Sequence, residues 1–150
     1  VVVNRYGKGR TIYIGALAGL AYLQPAMIES AHVLPTEFPA DLRNFIAAPV
    51  RWAQLAPPVV ASDPLVETQF MTGPDGTIVA LINWRDEPIE NLVLRFGNQT
   101  EIKSVQSLSQ AGVFTGDLET QEHGTLNVTT DNGVSQVTLR LAVTDYLLIN

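Results

Sequence analysis

The 150-residue chain has no cysteine. That excludes disulfides, thiolate metal sites and a cysteine nucleophile, and it leaves the redox compartment open. Histidine is nearly missing as well, with only His32 and His123. Two imidazoles without a thiolate make a poor zinc set. No D-x-D-x-D-G array exists for an EF-hand, although single acids such as Asp63, Asp75 and Asp131 fall where sandwich loops could hold calcium. Charge is sparse at 16%, and positive charge is the scarcer sign, leaving a net of −6. Such a chain lacks the basic footprint of a nucleic-acid binder, so no nucleic-acid partner is expected. Long hydrophobic runs are also lacking. The longest candidate, Ile12–Leu23, is shorter than the roughly 20 residues of a membrane helix, and the strand-like Val1-Val2-Val3 precedes it where a signal peptide would begin. No membrane partner is expected.

Phosphate-binding motifs fail for a definite reason. Gly7-Lys8-Gly9 supplies two glycines of G-x-G-x-x-G, but Ile12 stands at the third glycine position. A P-loop would need Ser or Thr after the lysine, where Gly9 stands. The same stretch reads well as a hairpin. Val1–Asn4 is a short strand, Tyr6–Gly9 a tight turn, and Thr11–Ile14 a second strand. Its unbroken apolar character predicts burial on both faces. Gly15 ends it, and Ala16–Leu23 forms a helix until Pro25 stops it.

What is present divides in two. Residues 1–60 carry five basic and three acidic side chains, while residues 61–150 carry four and twelve. The first part holds a second helix beginning near Asp41, which is expected to cap it, with Leu42, Phe45 and Ile46 on one face. Pro49 kinks or restarts that helix, Trp52 extends its apolar surface, and Pro57-Pro58 is a stiff linker. From residue 59 the period becomes alternating. Leu65–Met71, Thr77–Trp84, Ile89–Phe96, Ile102–Leu108, Gly124–Thr129, Val134–Leu141 and Asp145–Ile149 read as strands, with a weak one at Leu118. Gly73–Gly76 and Asp131-Asn132-Gly133 are turns between them. The expected fold is mainly β. An antiparallel β-sandwich of about eight strands (59–150) follows a partial α/β element made of a hairpin and one or two helices (1–58).

These landmarks, in order, resemble the C-terminal end of bacterial β-galactosidases of the glycoside hydrolase family 42 type. Tyr6–Arg10, Thr11–Gly15, Asp41–Leu55 and Pro57-Pro58-Val59 match the close of that family's glutamine-amidotransferase-like trimerisation domain. Val66-Glu67, Asp75-Gly76, Ile78–Asn83 with Asp86-Glu87-Pro88, and Asp145–Ile149 match its C-terminal β-sandwich. Pro25–Pro39 departs from the pattern as an insertion, and Trp84 stands where the family often has His. These departures fit a distant multidomain relative equally well. The resemblance implies a bacterial, C-terminal, non-catalytic accessory segment of a carbohydrate-active enzyme. The family's catalytic glutamates belong to a barrel and have no counterpart here, so no catalytic residue, cofactor or metal is assigned. Val1 in place of an initiator Met fits a processed product, a cloned segment or part of a longer protein.

Three functions compete. In the first, the chain is a structural module that joins the remainder of a larger polypeptide or self-associates. A hairpin with one or two helices cannot bury its own apolar residues, and Ile12, Ile14, Leu17, Leu20, Phe45 and Ile46 in residues 1–58 therefore call for a partner surface. In the second, it is a free-standing hydrolase using loop residues such as Ser30 and His32, although no G-x-S-x-G elbow accompanies them. In the third, it binds carbohydrate by stacking an aromatic ring on a sugar. Trp84 ends a strand beside a polar turn and is the candidate contact. Trp52 lies on a helix face, and Tyr146 opens a strand expected to face the core. The paired acids Asp86-Glu87 read as solvated turn. A soluble protein of the bacterial cytoplasm or periplasm is expected.

Overall fold

A computed structural model of the chain describes residues 1–26, 35–97, 102–109 and 124–150. The chain divides into two units, Val1–Ala56 and Pro57–Asn150. Among the described residues no helix is long and apolar enough to cross a membrane.

The first unit opens with an antiparallel hairpin of β1 (Val2–Tyr6) and β2 (Gly9–Tyr13), in which Tyr6 pairs with Gly9. Gly7 turns the chain with φ 58°, a conformation that costs a β-carbon-bearing residue. Helix α1 (Ala18–Leu23) runs into a single 3-10 turn, and α2 (Ala40–Trp52) follows. Two expectations are corrected here, and a third is narrowed. The second strand is not buried on both faces, because Thr11 and Tyr13 are exposed and Ile12 and Ile14 only half-buried. Asp41 does not cap α2. The capping position is Pro39 in extended backbone, and Asp41 lies in the first turn, where its charge suits the positive end of the helix dipole. The helix also runs through Pro49 without restarting. It ends in a Schellman arrangement, with Gln54 at φ 57° and the Leu55 N–H donating to the Val50 carbonyl at 3.2 Å.

Packing in this unit is thin. Tyr22 stacks on Phe38 at 4.8 Å, and the Arg43 guanidinium donates to the Tyr22 hydroxyl and the Phe38 carbonyl. Arg10 lies 4.8 Å from the centre of the Trp52 ring. Yet Ala26 is the only described residue of the unit that is buried.

The second unit is an antiparallel β-sandwich. One sheet has the order β3 (Val59–Ala61), β6 (Ile89–Phe96), β10 (Val134–Leu141), β9 (Val128–Asp131). The other has β4 (Val66–Gly73), β5 (Gly76–Asn83), β11 (Thr144–Ile149), β7 (Val105–Ser107), β8 (Gly124–Leu126). Alternation along the strands sends one row of side chains inward. Val79, Leu81, Val105, Leu147 and Ile149 from the five-stranded sheet meet Leu92, Leu94, Phe96, Val137, Leu139 and Leu141 from the other in one buried cluster. The β9–β10 turn places both Asn132 and Gly133 at positive φ, the requirement of a type I′ hairpin.

Two strand assignments change. The segment Gly124–Thr129 is not one strand but β8 and β9, which pair with β7 and β10 and so belong to opposite sheets. Leu126 and Val128 both pack against the core, so their two-residue spacing continues unbroken across the crossing. Ile102–Leu108 shortens to β7, and β3 follows the diproline directly. Leu118 lies outside the described residues.

Candidate functional site

Trp84 sits at the mouth of a small loop cluster at the end of β5. The cluster is anchored by Asn83, which is 6% exposed. Its amide nitrogen donates to the carbonyls of Glu87 at 2.9 Å and Ala142 at 2.8 Å, and its oxygen accepts from the Arg85 N–H at 3.0 Å. One side chain thereby ties the 84–88 turn to the β10–β11 connection. A buried amide with its hydrogen bonds made is stable, whereas its backbone partners would each be orphaned by its loss.

Trp84 itself is 42% exposed. Its backbone N–H donates to the Leu65 carbonyl at 3.0 Å, and its indole N–H donates to Glu67 Oε2 at 3.1 Å. Behind it, Arg85 Nε pairs with Asp63 Oδ2 at 2.7 Å, and Asp63 Oδ1 accepts from the Leu65 N–H. The indole is therefore held at its polar edge while part of its surface meets solvent. An apolar ring beside a carboxylate such as Glu67 offers a sugar a stacking surface and an acceptor for its hydroxyls.

The other sequence candidates are dispersed. Trp52 is half-buried under Arg10 in the first unit. Tyr146 is 50% exposed on the outer face of the five-stranded sheet, contrary to the expected core position. Its neighbours Asp145 and Leu147 take the inward positions. Asp63 and Asp75 stand before and after β4, at its opposite ends, and Asp131 bonds Asn132 in the β9–β10 turn. Among the described residues no group of three His, Asp or Glu side chains could hold a metal ion. Asp86 and Glu87 lie exposed in their turn. Ser30, His32 and His123 lie outside the described residues.

A second polar cluster was not legible in the sequence. Asp145 is 2% exposed, and its carboxylate accepts from Ser107 Oγ at 2.5 Å and from the backbone N–H groups of Ser109 at 3.0 Å and Tyr146 at 2.7 Å. It locks the start of β11 to the end of β7. Its only sequence signal is an acid at the mouth of an aliphatic strand.

No protein-family model matches the chain, and no curated protein does.

Proposed function

We propose that this chain is a non-catalytic structural and assembly module of a larger carbohydrate-active enzyme. The observation that carries the assembly part is the contrast between a first unit with one buried residue among those described and the apolar side chains it presents. Val2, Val3, Leu17, Leu20, Phe45, Ile46, Val50 and Leu55 are all exposed. Ile14, Leu17, Leu20 and Ile46 line an open apolar groove. Exposing a patch of this kind to water costs free energy that burial against a partner surface recovers. That surface belongs to the remainder of a larger polypeptide or to a second copy of this unit. The carbohydrate-active parent rests on the resemblance of Tyr6–Gly15 and the sandwich landmarks to the family 42 β-galactosidases.

The test is light scattering on a size-exclusion column with the full chain and with Leu20→Asp/Ile46→Asp. The expected result is a defined dimer or trimer that the double substitution dissociates. A monomer at every concentration, with no binding of an apolar dye, would end the assembly reading.

One observation favours a second reading, carbohydrate contact at Trp84. The indole N–H is held by Glu67 while the residue stays 42% exposed. Titration calorimetry with a panel of oligosaccharides would show binding that Trp84→Ala removes. The candidates of the free-standing hydrolase, Ser30 and His32, lie outside the described residues.

A further inference from the structure

Every open sheet has edges, and an edge strand offers unpaired backbone groups to any second strand. Among the described residues, three of the four edges in the sandwich are short. β3 and β8 have three residues each and β9 has four, and β3 follows two prolines. The fourth, β4, differs. It has eight residues, VETQFMTG, with no lysine, arginine or proline. Its register with β5 runs from Val66↔Asn83 to Gly73↔Gly76 without a bulge. Among the described residues its one blunting device is the charge of Glu67 near one end of the strand.

The direction of its backbone groups follows from one bond. The Trp84 N–H donates to the Leu65 carbonyl. Antiparallel alternation then turns residues 67, 69, 71 and 73 toward β5, and Thr68, Phe70 and Thr72 toward the open edge. Val66 is already engaged, its N–H donating to the Asp63 carbonyl at 3.2 Å. Among the described residues, Thr68, Phe70 and Thr72 have no backbone partner on their outer side.

We infer that β4 pairs antiparallel with β4 of a second copy of this chain, about a two-fold axis at Phe70. The strand is self-complementary in that register. Thr68 faces Thr72 of the second copy, Phe70 faces its own equivalent, and about six backbone hydrogen bonds form. On the solvent face Gln69 lies opposite Met71 of the second copy. Glu67, the one charge in β4, lies opposite Gly73 of the second copy, so the two carboxylates stay far apart and like-charge repulsion is avoided. Met71 and Ile78 are paired neighbours on β4 and β5 and both are exposed, and the joined sheets would continue that apolar surface across the axis. This contact is carried by the second unit alone and stands or falls separately from the surface of residues 1–56.

The experiment is amide hydrogen exchange at Thr68, Phe70 and Thr72, read by nuclear magnetic resonance on the full chain over a concentration series. Two solvent-face variants accompany it. Gln69→Lys/Met71→Lys sets ammonium groups opposite each other across the axis, while Gln69→Lys/Met71→Glu sets lysine opposite glutamate. In the native chain the three amides should slow at least tenfold as concentration rises. The protection should vanish in the Lys/Lys variant and return in the Lys/Glu variant. Light scattering should show the loss as a halving of mass, toward 16.3 kDa if no other contact persists. The inference is overturned if the three amides exchange freely at every concentration. It is equally overturned if their protection survives Lys/Lys, or if it appears only when a different protein is added. Association through residues 1–56 would leave the mass high while these amides stay unprotected, which separates the two contacts.

Discussion

The two units of this chain put their apolar residues to opposite effect. In residues 57–150, strand alternation directs Leu81, Leu92, Leu94, Phe96, Leu141 and Leu147 into one cluster with at most 2% exposure each. In residues 1–56, Ile12, Leu20, Phe45 and Ile46 belong to a two-stranded hairpin and two short helices, Ile14 and Leu17 to the connection between β2 and α1, and none of them is buried. A two-layer sandwich closes over its own core, whereas an isolated hairpin of this size has no second layer to bury against. The difference teaches that apolar content alone does not set stability. What matters is whether the topology supplies both walls.

Substitutions should break this comparison in graded steps. The largest effect is expected from Leu94→Ala or Leu81→Ala, which open cavities at fully buried sites. Either should lower unfolding stability by about 3 kcal/mol in denaturant titration. The matching change Phe45→Ala in the first unit should cost under about 0.5 kcal/mol in the monomer. Next comes Asp145→Ala. It removes the carboxylate that accepts from the Ser107 hydroxyl and from the Ser109 and Tyr146 N–H groups, for a loss of about 2–3 kcal/mol by the same titration. Asn83→Ala should cost about 2 kcal/mol by releasing the Glu87 and Ala142 carbonyls and the Arg85 N–H. The smallest effect sharpens the comparison from the other side. Gln54→Gly relieves the left-handed backbone after α2 and should stabilise that helix by about 0.5–1 kcal/mol, seen as a gain in far-ultraviolet helical signal without a shift in the sandwich melt.

The sandwich was largely legible because its punctuation is local. Gly73–Gly76, Asn132-Gly133 and the alternation of Leu92, Leu94 and Phe96 are signals within a few residues of one another. Three features escaped because they are not local. The transfer of the chain between sheets at Asn127 leaves Leu126 and Val128 in step, so periodicity continues through it. The anchors Asn83 and Asp145 bind partners at Ala142 and Ser107, 59 and 38 residues away. The orientation of Tyr146 depended on which face of β11 met the core, and the inward position of Asp145 decided that against the expectation for a tyrosine. The error at Thr11–Ile14 is of another kind. A continuous apolar strand is compatible with burial and equally with a surface that awaits a partner, and only the exposure of Tyr13 separates them. Trp84 fell at the strand end foreseen for it, but its hydrogen bond to Glu67 could not be read from residues 17 positions apart.

The most direct test of the central contrast is segment-resolved hydrogen exchange on the full chain at a concentration where light scattering shows a monomer. Amides of β5, β6, β10 and β11 should exchange only through global unfolding, while those of α2 should exchange nearly as fast as an unstructured peptide. Protection of α2 should then rise only with assembly. An α2 protected as strongly as β10 in the verified monomer would contradict the account, because the first unit would then be stable without a partner.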